Sequence, residues 1–108
     1  MRFRALAALL LAPMIMAQGS VELSRTTVAG FVRIGNRPVS NASVFARSNA
    51  ERQTTRTDSK GHYIFFSLSA GTYVISAQSG HLRTCAPAHE EVQAGFHYDV
   101  TLHVSRRC

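Results

Sequence analysis

Histidine and cysteine side chains are concentrated in one stretch of the sequence, residues 81–91. His81, Cys85 and His89 recur at intervals of four residues, and two glutamates follow directly. Imidazole, thiolate and carboxylate groups are ligands that suit zinc or copper. That spacing would bring the three side chains together only on a helix, and Pro87 disfavours a helix there. We interpret the stretch as a solvated loop and predict no metal site.

No group of side chains has the spacing of a catalytic site. Serine is abundant, but the Gly-x-Ser-x-Gly turn that exposes a nucleophilic serine is absent from the sequence. Asp58 is better explained by the turn Asp58-Ser59-Lys60-Gly61 than by acid–base chemistry. His97 and His103 would lie about 20 Å apart along a strand, too far to share one ion. The sequence therefore predicts neither an enzyme nor a cofactor.

The first 17 residues have the form of a secretory signal peptide. Arg2 and Arg4 precede a run of Ala and Leu, and small Ala17 stands before Gln18 as a cleavage site requires. We predict cleavage after Ala17, a linker over residues 18–26, and a secreted or periplasmic protein. The alternative is a membrane anchor, but Pro13 and the polar residues after Ala17 shorten the apolar run below the about 20 residues that span a bilayer.

Both cysteines, Cys85 and Cys108, follow this signal. Export to an oxidising compartment would allow them to pair. A disulfide between them would stabilise the domain by about 3 kcal/mol through the entropy of the unfolded chain. The alternative is that Cys108 is free or pairs with another chain.

Size and charge limit the class of protein. Cleavage would leave 91 residues, enough for one modest core and one domain, which we expect to be monomeric. Removing Arg2 and Arg4 from the 12 basic residues leaves 10 against 6 acidic ones, a net charge of about +4. Apart from Arg106-Arg107 the arginines are scattered singly, at positions 25, 33, 37, 47, 52, 56 and 83. No nucleic-acid footprint is predicted.

Alternating apolar and polar residues dominate the sequence after residue 26, which indicates an all-β domain. Such segments cover residues 28–34, 42–47, 53–58, 63–66, 73–77 and 97–104. The pattern is weak over 81–91, where Pro87 opposes a central strand, so we predict a loop or a short edge strand. About seven short strands separated by turn residues predict a two-sheet Greek-key β-sandwich.

The alternation also predicts which aromatic rings are exposed. Tyr63, Tyr73 and Tyr98 fall on core faces, whereas Phe31, Phe45 and Phe66 face away from the core. We predict that these three phenylalanines form a contact patch for a protein partner. The alternative is that loops or imperfect alternation bury them.

The order of motifs resembles the carboxypeptidase regulatory-like domain from about Thr27 to Val104. The motifs are Val28-x-Gly30-x-Val32, Pro38-Val39-x-Asn41-Ala42-x-Val44, and Thr57-Asp58-x-x-Gly61-x-Tyr63-x-Phe65-x-x-Leu68-x-x-Gly71-Thr72-Tyr73. The resemblance implies a transthyretin-like (prealbumin-like) β-sandwich, a fold also used by starch-binding-like carbohydrate modules, and no shared catalytic set. Transthyretin-like hydrolases end in Tyr-Arg-Gly-Ser, whereas this sequence ends Val104-Ser105-Arg106-Arg107-Cys108.

Together these features predict a β-sandwich domain over residues 27–108 that acts as a non-catalytic module. We expect a protein or cell-envelope partner, or an accessory structural role. Carbohydrate binding is the second interpretation, because the sequence has no Trp and its tyrosines are predicted to face the core.

Overall fold

A computed structural model describes residues 26–108 of the protein. The predicted signal peptide, residues 1–17, and residues 18–25 of the predicted linker lie outside the described residues. Within residues 26–108 the chain forms ten strands and no helix. The strands are β1 (Thr27–Ile34), β2 (Arg37–Pro38), β3 (Ser43–Arg47), β4 (Arg52–Arg56), β5 (His62–Phe66), β6 (Gly71–Ser79), β7 (Leu82–Thr84), β8 (Ala88–Val92), β9 (His97–Asp99) and β10 (Leu102–Ser105).

The strands form one curled sheet that folds into two layers. In the first layer β5 and β9 flank the first half of β1, so that Thr27 lies opposite both Phe66 and His97. In the second layer β4, β3 and β6 are antiparallel neighbours, and β8 and β7 pair with the two ends of β6. β10 connects the layers, since it pairs with β7 and with the second half of β1. The predicted all-β sandwich is confirmed.

The hydrophobic core lies between the two layers. Alternate residues of each central strand are almost fully buried, as the period of two predicts. β1 and β5 contribute Val28, Val32, Tyr63 and Phe65; β3 and β6 contribute Val44, Ala46, Tyr73 and Ile75. Side chains of the intervening positions therefore point away from the core, on the outer face of each layer.

Residues 81–91, predicted as a loop or a short edge strand, correct that prediction in part. Within the described residues the five-residue β8 pairs along its whole length with β6 and with no other strand, so it is a short edge strand. β7 was not expected, and it pairs with both β6 and β10. Pro87 immediately precedes β8, where its missing N–H removes no hydrogen bond from the ladder. Val92 is the deeply buried residue of β8, with 1% of its surface exposed.

The final segment corrects a second prediction. Residues 97–104 form two strands rather than one, because the ladder is interrupted at Val100 and Thr101. Val100 donates its N–H to the Ala29 carbonyl at 2.8 Å, and its own carbonyl accepts a hydrogen bond from the Tyr63 hydroxyl at 2.6 Å. A side chain thus replaces a strand as the partner of this carbonyl, and the ladder resumes at Leu102.

Candidate functional site

The three phenylalanines of the predicted patch are divided between the two layers. Phe31 on β1 and Phe66 on β5 share the outer face of the first layer, with 37% and 55% of their surfaces exposed. Phe45 lies on β3, in the second layer, and is half-buried. The structure therefore brings Phe31 and Phe66 to one surface and does not bring Phe45 to it.

We call the outer surface formed by Phe31, Ile64 and Phe66 the aromatic face. Ile64 lies between the two rings along β5, opposite Ala29 of β1, which is only 4% exposed. The register places Phe31 and Phe66 about 13 Å apart along the strands, four residues at strand rise. An apolar strip thus runs along the outer face of β1 and β5.

Polar side chains contact the Phe31 ring and lie along the border of the aromatic face. The ring of His62 packs edge-on against Phe31 at 5.2 Å between centroids, and the Arg33 guanidinium lies 5.4 Å from the Phe31 centroid. The latter geometry is that of a cation–π contact. On the β9 side, His97 contacts both the Thr27 hydroxyl and the Asp99 carboxylate, the latter at 3.1 Å.

Phe96 was not part of the predicted patch, yet it is 57% exposed. By simple alternation it would share the core face of Tyr98. Phe96 instead precedes β9 in a turn, where strand alternation does not apply. The sequence signal for this break is the preceding Gly95, because glycine is common in turns, and its φ in the structure is +87°.

A second surface lies on the outer side of the second layer, around Phe45. Residues directly opposite in a ladder share a face, and the registers align three such rows across β4, β3, β6 and β7. The rows are Arg52–Arg47–Val74, which His89 of β8 extends, Thr54–Phe45–Ser76 and Arg56–Ser43–Gln78–Arg83. We call this surface the arginine face, after Arg47, Arg52, Arg56 and Arg83.

Two open cavities meet at Phe45 on the arginine face. The larger, about 490 Å³, is lined by Asn41, Ser43, Phe45, Arg56, Gln78, Ser79 and Gly80. The smaller, about 160 Å³, is lined by Phe45, Ala46, Arg47, Arg52, Gln53, Thr54 and Ser76. Phe45 therefore separates two depressions whose other side chains are mostly polar.

The arginines of this face carry positive charge without ionic partners. Among residues 26–108 the one ion pair is His97–Asp99, in the other layer. Arg56 is oriented by Asn41, whose amide oxygen accepts its guanidinium N–H at 3.0 Å. Asn41 itself has φ +57°, a left-handed conformation that asparagine tolerates better than most residues.

The fold therefore brings together four arginines that are scattered in the sequence. Arg47 ends β3 and Arg52 begins β4, on the two sides of the β3–β4 turn, and Arg56 shares the face of Arg52 through the period of two. Arg83 joins them from β7, a strand that the sequence pattern did not reveal. Alternation along β3 was the available signal for Arg47, and alternation along β4 was the signal for Arg52 and Arg56.

The two cysteines form a disulfide in the structure. Cys85 and Cys108 are bonded, with their Cα atoms 5.4 Å apart, and connect the β7–β8 turn to the segment after β10. The bond fits an extracellular or periplasmic protein. It also occupies the Cys85 sulfur, so the His81, Cys85 and His89 set cannot supply a thiolate to a metal ion. No cluster of three potential metal ligands occurs within residues 26–108.

Comparisons with known proteins support the fold. A crystal structure of a candidate carbohydrate binding protein from Bacteroides uniformis is similar, with a TM-score of 0.50 and 18% sequence identity. The similarity covers 71% of this chain but 40% of that protein, so this chain spans less than half of its length. No curated protein sequence matches the chain.

Two further findings concern the chain itself. Between residues 26 and 108 there is no helix with the length and apolar character needed to cross a membrane. Residues 27–105 match the carboxypeptidase regulatory-like domain, nearly the range over which the sequence motifs resemble it. The chain belongs to the carboxypeptidase regulatory-like domain family.

Proposed function

We propose that this chain is a non-catalytic module that works by protein contact through its aromatic face. The observation that carries the proposal is the exposure of Phe31 and Phe66 on one outer surface, joined by Ile64. Contiguous exposed apolar surface is uncommon on monomeric proteins and marks interaction sites. The partner is a secreted or envelope protein that presents apolar side chains.

The position of β5 supports this proposal. Within residues 26–108, β5 pairs only with β1, so its other edge is hydrogen-bonded to no strand. A partner that covers Phe66 at the end of β5 would also come within reach of backbone groups at that edge. Apolar contact and backbone hydrogen bonds could then contribute to the same interface.

The test is a comparison of two variants in an affinity capture from the envelope fraction of the source organism. We expect the double variant Phe31→Ser, Phe66→Ser to bind the partner of the wild-type chain about tenfold more weakly or worse, as substitution of hot-spot residues does. Phe45→Ser, the same change in the other layer, is the matched control and keeps the partner. Sedimentation velocity and circular dichroism establish that both variants are folded monomers. Equal capture by the wild type and both variants would refute the proposal.

Carbohydrate binding at the arginine face is the second candidate function. The observation in its favour is the Phe45 ring between two cavities lined by hydroxyl, amide and guanidinium groups. An aromatic ring offers a flat apolar surface, and the polar groups around it offer hydrogen bonds. The similar structure from Bacteroides uniformis, named for candidate carbohydrate binding, adds a fold that is compatible with this function.

A glycan array separates the two functions. Carbohydrate binding predicts retention of a sugar that is lost in Phe45→Ala and kept in the Phe31→Ser, Phe66→Ser variant. The reverse pattern, or retention of no sugar by the wild type, would count against this second function.

A further inference from the structure

We propose that the arginine face binds a polyanionic glycan, a polysaccharide that carries carboxylate or sulfate groups. The inference rests on the second proposed function and names the chemical class of its ligand. Arg47, Arg52, Arg56 and Arg83 supply the charge, and Phe45 supplies the stacking surface at the centre.

The spacing of the arginines suits an extended chain of anionic groups rather than one small anion. Arg52 and Arg56 lie about 13 Å apart along β4, four residues at strand rise, and Arg83 lies three strands from Arg56, about 14 Å across the sheet. Arg47, Arg52 and Arg56 line the two cavities beside the central ring, and Arg83 extends the row of Arg56. Each presents a planar fork of donors that matches the paired oxygens of a carboxylate or sulfate.

The charge on this surface is left uncompensated by the fold itself. Arg47 lies directly opposite Arg52 in the β3–β4 ladder, and like charges in that position destabilise a sheet. Glu91 lies on the same outer face, opposite Thr72 in the β6–β8 ladder, but β6 separates it from Arg47 and it forms no ion pair with these arginines. A bound polyanion would relieve the repulsion between Arg47 and Arg52.

The side chains between the arginines favour a glycan over an acidic peptide. Ser43, Thr54, Ser76 and Gln78 offer hydroxyl and amide groups, which can both donate and accept hydrogen bonds with sugar hydroxyls. Apart from Phe45 and Val74 the aligned rows present no apolar side chain. The Cys85–Cys108 disulfide fits an oxidising compartment outside the cytoplasm, where polysaccharides are a more general polyanion than nucleic acids.

The experiment measures binding of the disulfide-bonded chain to five defined polymers at about 150 mM salt, where exposed long-range charge effects are largely screened. Polygalacturonate carries carboxylates, dextran sulfate carries sulfates, and dextran is their neutral counterpart. Polyglutamate and single-stranded oligothymidylate test the acidic-peptide and nucleic-acid alternatives. We expect binding to one or both anionic glycans, with dextran about tenfold weaker or more.

Two triple variants separate the arginine face from net charge. The first variant, Arg47→Gln, Arg52→Gln, Arg56→Gln, should weaken glycan binding by about tenfold or more, because hydrogen bonds to charged groups contribute more than those between neutral groups. The control variant removes the same charge elsewhere, by Arg33→Gln, Arg37→Gln, Arg106→Gln, and should keep most of the affinity. Phe45→Ala should weaken binding several-fold without changing net charge. Equal losses in the two triple variants would overturn the proposal.

The remaining outcomes distinguish this inference from the functions on which it rests. Equal binding of dextran and the anionic glycans would overturn the polyanion proposal while supporting carbohydrate binding. Polyglutamate or oligothymidylate bound more tightly than either glycan would also overturn it. If the chain binds no glycan, both the inference and the second proposed function fail. The aromatic-face proposal is tested independently, by the Phe31 and Phe66 variants.

Discussion

Gly30 and Tyr63 lie directly opposite each other in β1 and β5, and both contact the carbonyl group of Val100. A Cβ atom on Gly30 would overlap the Val100 carbonyl oxygen, so the absence of a side chain makes room for that group. The Tyr63 hydroxyl then supplies the hydrogen bond that a neighbouring strand would otherwise provide. The two residues together explain how the chain passes from β9 to β10.

Substitution of Gly30 by alanine should strongly destabilise the domain. The new methyl group would meet backbone atoms of Val100, which cannot move aside as a flexible side chain could. We expect the free energy of unfolding in urea to fall by about 3 kcal/mol or more, at the upper end of overpacking effects. Gly35→Ala, whose Cβ meets open space but whose φ is +60°, should cost only about 1 kcal/mol. Equal losses of unfolding free energy in Gly30→Ala and Gly35→Ala would contradict the close approach of the Val100 backbone to Gly30.

The variant Tyr63→Phe removes the buried hydroxyl and leaves the Val100 carbonyl without its partner. The free energy of unfolding should fall by about 1 to 2 kcal/mol, as for a buried hydrogen bond. Tyr98→Phe is the matched control, because its hydroxyl only accepts an exposed hydrogen bond from the Gln93 N–H. A loss in Tyr63→Phe no larger than in the control would show that the bond contributes little.

Burial also raises the pKa of the Tyr63 hydroxyl above its ordinary value near 10. The folded protein therefore keeps this proton at a pH where the unfolded chain releases it. Stability from this group is complete below pH 10 and is lost as the pH rises toward the folded pKa. Thermal unfolding above pH 10 should accordingly depend less on pH in Tyr63→Phe than in the wild type.

Reduction of the Cys85–Cys108 disulfide should lower the unfolding free energy by about 3 kcal/mol, because the unfolded chain regains the entropy of a loop of this size. The double variant Cys85→Ser, Cys108→Ser should show the same loss and no further response to reductant. Urea unfolding with and without dithiothreitol measures both effects. Two free thiols in the wild type by mass spectrometry would contradict the bond.

Glu51 should contribute to a loss of stability in acid. Its carboxylate accepts hydrogen bonds from the Tyr73 hydroxyl at 2.8 Å and the Ser69 N–H at 3.1 Å. The Tyr73 bond first, and then the Ser69 bond, hold the pKa of Glu51 below its usual 4.5. The stability they provide is present above that pH and is lost as the pH falls through the lower folded pKa.

The check on Glu51 is the melting temperature from pH 6 to pH 3. Glu51→Gln should show a smaller decrease over this range than the wild type. Asp58→Asn serves as the comparison, because hydrogen bonds from the His62 and Lys60 N–H groups also lower the pKa of Asp58. If Glu51→Gln and the wild type decrease equally, the Tyr73 bond does not couple to folding.

Much of the fold could be predicted from the sequence because its central strands bury one face only. Val32, Tyr73 and Ile75 alternate with exposed or half-buried residues, and alternation identifies such strands. For residues 81–91 the sequence left a loop and a short edge strand as alternatives, because Pro87 stands immediately before β8 and only Val92 in that strand is deeply buried. The break at Val100 could not be predicted from the local sequence, because it depends on a hydrogen bond from Tyr63, which is 37 residues away.

The surfaces were harder to predict because alternation assigns a face but not a layer. It correctly turned Phe31 and Phe45 away from the core, yet only the topology shows that they belong to opposite sides of the sandwich. The same limit applies to the arginines, since the neighbourhood of Arg56 and Arg83 depends on the pairing of β3 with β6 and of β6 with β7. Such long-range pairings are set by the whole fold.

β1 has a consequence for how the domain unfolds. Its first half is the middle strand between β5 and β9, and its second half is joined through β10 and β7 to the other layer. Loss of β1 would leave β5 and β9 without their strand partner and would break the link through β10 to the second layer. The domain should therefore melt as a single cooperative unit, in which a change at either surface alters the stability of the whole.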